Sequence, residues 1–225
     1  MKPDFERCTN LATMLLYQQK IEDRILDIRS LTYDKKIYFD TIQGYAFYTR
    51  TPISAFPVSD DGLLKDGCTL VLGNDEYLIL YNNQVNNYEH LNWTLAHEIG
   101  HIYLGHTQDG PIEEIEAHFF AAQLFMPEYS LYMMHRNYGP VYAKDLVEIF
   151  GVSPEAARNR IKTMNKKSMF SASQKDKEIW EQQEKRVKLY HEVSKDRDAF
   201  RCCLAYDLYF KDMMESELRS SYAYI

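Results

Sequence analysis

The sequence predicts an α+β fold: a short antiparallel or mixed sheet packed on one long helix, followed by helix-turn-helix-like helices and a helical C-terminal extension. Three observations carry this. Two runs of β-branched and aromatic residues, Cys68 to Leu72 and Tyr77 to Tyr81, flank Gly73-Asn74-Asp75-Glu76, which signals a hairpin. A helical pattern then runs to about Leu104, where Gly105 supplies a residue that tolerates positive φ. From Asp176 to Glu217, charges of both signs alternate through long helical segments.

The totals bound the function. A chain of 225 residues suits one medium domain, or one domain with a helical extension. A formal charge of −7 argues against a surface that is basic throughout, so a generic nucleic-acid binder is not expected. No apolar run approaches the ~20 residues that a membrane helix needs, and Met1 to Arg7 opens no signal-peptide core, so a cytoplasmic location is expected. Cys8, Cys68, Cys202 and Cys203 form no Cys-x-x-Cys pair and read as reduced thiols.

Taken in order, Leu11, Leu15, Leu16, Ile21, Ile25 and Ile28 recur at mostly helical spacing, giving one amphipathic helix or two short ones between Phe5 and Ser30. Lys36 to Asp40 and Tyr45 to Thr49 are rich in aromatic and β-branched residues and read as strands. Pro52 to Asp66 carries turn formers and reads as a loop. Asn86, with Glu89 three residues on, resembles a capping box for the long helix. Pro111 suits the first turn of a further helix that ends before Pro127.

Chemistry concentrates on the long helix. His97 and His101 are four residues apart in His97-Glu98-Ile99-Gly100-His101, so they share one face and can bind one zinc ion. Glu98, beside the first histidine, can reach the attacking water as general base. Gly100 inside a helix costs about 1 kcal/mol relative to alanine, which points to a close neighbour there, a sheet or a substrate backbone.

A catalytic zinc needs a third protein ligand, leaving a fourth position for water. The next helix offers Glu113, Glu114 and Glu116. Glu114 is favoured because it shares a face with His118, which could support the site or donate to an oxyanion. Glu116 is the alternative, although its partner four residues on is the bulky Phe120. His106 misses the H-E-x-x-H-x-x-G-x-x-H register by one position and reads as a surface or supporting histidine. Tyr129, Tyr132 and His106 join His118 as oxyanion candidates.

With these residues in view, TLAHEIGHIYLGH followed by EEIEAHFFAAQLFMP resembles the ImmA/IrrE family of zinc metallopeptidases. DGCTLVLGNDEYLILYNN and DLVEIFGVSPEAARNRIKTM extend the resemblance over roughly residues 60 to 165, about half the chain. His118 departs from it, since the family often has asparagine or another small polar residue there. The resemblance implies a cytoplasmic, zinc-dependent protease, typically bacterial or carried on a phage or mobile element. Its relatives cleave a helix-turn-helix repressor, which makes a protein substrate of that kind an expectation here. The expected organisation is a zincin-like metallopeptidase domain at 1–135, a helix-turn-helix-like segment packed on it at 136–170, and, beyond the composition shift after Lys167 and outside the resemblance, a helical extension at 171–225.

The rival reading is a non-catalytic DNA- or protein-binding regulator on the same scaffold. Its support is the turn at Gly151 and the helix opening at Ser153-Pro154. Between Val141 and Lys167, the basic residues Lys144, Arg158, Arg160, Lys162, Lys166 and Lys167 outnumber three acidic ones. Direct DNA binding is nevertheless not expected from so acidic a chain. Cys203, Tyr206, Phe210, Met213 and Met214 form a stripe that reads as a packing face in the extension.

Overall fold

The computed structural model describes residues 2–19, 25–59, 62–85, 87–108, 110–164 and 172–199, with side chains through Ser194. Among them the fold is α+β, with eight helices and one three-stranded mixed sheet. The chain divides into a unit of residues 1–187 and a second from 188 onward. The stripe from Cys203 to Met214 and the pair Cys202-Cys203 lie outside the described residues.

Helix α1, Phe5–Tyr17, begins at Asp4, whose carboxylate accepts the Arg7 N–H at 3.0 Å. Its inward stripe is Cys8, Ala12, Leu15 and Leu16. Of the second short helix expected before Ser30, one 3-10 turn at Ile28–Ser30 is present, and residues 20–24 lie outside the described part. That turn is held by Asn92, a buried polar residue of the long helix. Its side chain accepts the Ile28 N–H at 2.9 Å and donates to the Leu26 carbonyl.

Strands β1 (Lys36–Thr41), β2 (Gly67–Gly73) and β3 (Glu76–Tyr81) lie in the order β1-β3-β2, parallel in the first pair and antiparallel in the second. Alternation divides the hairpin's side chains between two faces. Cys68, Leu70, Leu78 and Leu80 pack with Ile42, Ala46 and Phe56 in a small core. Thr69 and its cross-strand partner, the fully buried Ile79, take the other face.

The expected strand at Tyr45 to Thr49 is instead part of helix α2, Ile42–Thr49. Thr41 caps it by accepting the Gly44 N–H at 2.9 Å, and Arg50 ends it in the left-handed region. Only Ile42 and Ala46, four apart, are buried, while Phe47 and Tyr48 stay in solvent. A helical period was hidden beneath a strand-like composition.

Helix α3, Tyr88–Leu104, is capped by Asn87, whose side chain accepts the His90 N–H at 2.8 Å. The cap thus sits one residue beyond the expected Asn86, which lies outside the described residues. With Asn87 in that role His90 occupies the third helical position, so Glu89 is out of register for a capping box. Gly105 closes α3 at φ +66°, and α4 follows over Pro111–Phe125. The neighbour at Gly100 is neither sheet nor substrate but α4. A Cβ there would lie 3.1 Å from the Ala117 carbonyl oxygen and 3.3 Å from Phe120 Cβ.

Helices α5 (Glu128–Tyr138), α6 (Ala143–Phe150), α7 (Pro154–Met164) and α8 (Gln174–Ala199) complete the described fold. Gly151 turns α6 into α7 at φ +64°, and the Ser153 hydroxyl accepts the Ala156 N–H. Arg160 of α7 is fully buried and donates twice to the Met126 carbonyl at the end of α4, at 2.7 and 2.9 Å. One of the basic residues counted toward a DNA-binding face is therefore committed to the core.

In the first turn of α3, the His90 ring lies 2.8 Å from Asp66, just ahead of β2. The hydrogen bond that the imidazole donates to Asp66 raises its pKa above 6.5, against a smaller opposing effect of desolvation. This contribution to stability is full below about pH 6.5 and lost as pH rises through the raised folded value. Both side chains are about half exposed, which keeps it under ~1 kcal/mol. An NMR titration should place the His90 midpoint above 6.5 and Asp66→Asn should lower it; an unmoved midpoint would contradict the pairing.

Candidate metal centre

Helices α3 and α4 cross closely at Gly100 and Ala117, which brings the histidine face of one against the first turns of the other. His97 Nε2 lies 3.0 Å from His101 Nε2. Glu114 Oε2 is 3.2 Å from His97 Nε2, and its other oxygen is 3.8 Å from His101 Nε2. A tetrahedral ion with bonds of about 2.0 to 2.1 Å separates its ligand atoms by about 3.3 Å, a spacing these three distances bracket. Two imidazole nitrogens turned toward each other beside a carboxylate are thus a donor set that fits a divalent ion.

Glu114 is the glutamate that reaches this pair. His97, by hydrogen bond and then by charge, together with His101 and Lys65, pulls its carboxyl down to about 2 against desolvation. At neutral pH it is therefore ionised. Glu116 faces elsewhere: one oxygen accepts the Asp4 N–H at 2.6 Å and the other lies 3.0 Å from His106 Nε2. Glu113 turns its carboxylate over Gly110 at the start of α4.

His118 sits on the open side. His97, Glu114 and His118 can each present one ligand atom within 4.8 Å of the others, and the His97 and His118 rings are 4.3 Å apart. Partial desolvation, then His97, lowers the His118 imidazole below 6.5. Tyr129 and Tyr132 stack on each other on α5, and His106 is engaged with His101 and Glu116.

Glu98 is buried one position along from His97, and its carboxylate accepts the Thr69 hydroxyl at 2.6 Å. Thr69 escaped the sequence reading. The available signal was alternation, which puts a polar residue on the face shared with Ile79. Gly67, next on that face, lets β2 approach: a Cβ there would lie 2.7 Å from Thr94 Cγ2 and 3.3 Å from Glu98 Cγ.

The family model for Peptidase_M78, described as an IrrE N-terminal-like domain, matches residues 52–162, which include the hairpin, α3, α4 and every residue of this cluster except Asp4. No curated protein matches the chain.

Proposed function

From the premise that the chain belongs to the IrrE N-terminal-like peptidase family, we propose that it is a zinc-dependent endopeptidase acting on a cytoplasmic protein, with a helix-turn-helix repressor the first substrate to try. The observation that carries this reading is the convergence of His97 Nε2, His101 Nε2 and the Glu114 carboxylate beside the buried Glu98. Residues 1–135 would form the peptidase domain, with 136–170 packed on it and 171–225 as the extension.

Zinc, when bound, supplies a Lewis acid and lowers the pKa of a water to about 7. Glu98, oriented by Thr69, accepts the proton of the attacking water and returns it to the leaving amine. His118, as neutral imidazole, donates an N–H to the developing oxyanion. An extended substrate segment adds to β2, an edge strand whose Thr69 touches Glu98 and whose Val71 and Leu72 are exposed. Against the non-catalytic regulator stands Arg160, whose charge is spent inside the fold.

Elemental mass spectrometry tests the premise of the chemistry. About one zinc per chain is expected in wild type and none in His97→Ala, together with chelator-sensitive cleavage of a peptide library by wild type. Wild type without stoichiometric metal after zinc is supplied would overturn the reading.

A further inference from the structure

We propose that Glu116 and His106 are positioning residues: a relay of hydrogen bonds from Glu116 through His106 fixes the tautomer of His101, so that the His101 Nε2 lone pair faces the ion. The consequence for zinc rests on the peptidase reading; the relay itself is a property of the metal-free chain.

The chain turns back at Gly105, and the His106 N–H donates to the His101 carbonyl at 3.0 Å. This lays the two rings 5.0 Å apart with their Nδ1 atoms facing at 3.0 Å. His106 Nε2 in turn faces Glu116 at 3.0 Å. The far oxygen of Glu116 takes the Asp4 N–H, so a backbone group at the start of α1 sets the carboxylate's orientation. The His106 and Glu116 side chains are only 7% and 11% exposed, which leaves little room for water to replace either partner.

The protons follow from what each atom can do. With one Glu116 oxygen already accepting the Asp4 N–H, the other accepts from the ring facing it, which places an N–H at His106 Nε2. A neutral imidazole protonated there has a bare Nδ1, which must receive a hydrogen bond. The atom facing it is His101 Nδ1, which therefore donates. His101 is left with its lone pair on Nε2, the atom that lies 3.0 Å from His97 Nε2 and 3.8 Å from Glu114. Among the described residues His97 has no such support, for its buried Nδ1 meets no hydrogen-bond partner there. His101 is thus the ligand whose orientation the protein fixes from behind.

Glu116→Gln reverses the relay without changing its shape. The glutamine oxygen must keep accepting the Asp4 N–H, which turns its amide donor toward His106. His106 then shifts its proton to Nδ1 and His101 to Nε2, where it blocks ligation. Long-range ¹H–¹⁵N correlation spectra of the metal-free protein should show Nε2–H on His106 and Nδ1–H on His101 in wild type, with both reversed in Glu116→Gln. Zinc affinity, read by chelator competition, should fall about 10- to 100-fold. If Glu116→Gln does not fold, the wild-type spectrum and His106→Phe decide. His106→Phe removes the acceptor and should also weaken zinc. Wild-type His101 protonated on Nε2, His106 protonated on both nitrogens, or unchanged zinc affinity in the folded variants overturns the proposal. A wild type that binds no zinc yet shows these tautomers overturns the peptidase reading and upholds the relay.

Discussion

Glu98→Gln is expected to lower peptide hydrolysis by about 100- to 10,000-fold while leaving one zinc per chain. Glutamine has the size of glutamate, and the site at Glu98 is filled. Thr69 binds its carboxylate at 2.6 Å, and β2 approaches so closely at Gly67 that even a methyl group would crowd Thr94 and Glu98. The amide can keep the Thr69 hydrogen bond, and His97, His101 and Glu114 are untouched, so the metal stays. What disappears is the ability to take a proton from water and hand it to the departing amine. Single-turnover hydrolysis alongside metal analysis checks both halves. Hydrolysis within about threefold of wild type would remove Glu98 from the mechanism, and a binding regulator would be indifferent to the change.

The parts of the site that were legible in the sequence are those fixed by a local period. His97, Glu98 and His101 lie on one helix, so their spacing is their geometry, and Gly105 ended that helix as its conformational freedom suggested. The hairpin declared itself through the turn between two apolar runs. Contacts between elements were harder. Nothing in the spacing of Glu113, Glu114 and Glu116 says that Asp4, more than a hundred residues upstream, supplies an N–H to Glu116 and so draws it away from the histidine pair. His106 failed a register written for a continuing pattern, yet the backbone reversal at Gly105 brings it onto His101 from the other side.

Composition misled in one place for a physical reason. Tyr45, Phe47 and Tyr48 have strand propensity, but propensity in sheets largely measures packing against neighbours, and the latter two rings have none on a sheet face. The cap at Thr41 and the burial of Ile42 and Ala46 against the hairpin decided for helix. Gly100 was read correctly as a close approach but not as to its neighbour, because a missing Cβ reports a contact without naming it.

Glu114→Ala should abolish stoichiometric zinc, whereas His118→Ala should keep it and lose hydrolysis. Glu114 brings a carboxylate to the His97 and His101 nitrogens, at 3.2 and 3.8 Å. His97 holds that carboxyl down to about 2, so the anion is present throughout the working pH range. In the metal-free protein, the stabilisation from this contact is present above about pH 4.5 and lost as pH falls toward 2. Removing the carboxylate leaves two neutral imidazoles against a dication, a weaker and less complete donor set. His118 lies within ligand reach of His97 and Glu114, so it tests a closed, purely structural site against an open catalytic one. Equilibrium dialysis of both variants against buffered zinc separates the two. Loss of zinc in His118→Ala as complete as in Glu114→Ala would mean four protein ligands, no position for water, and no peptidase.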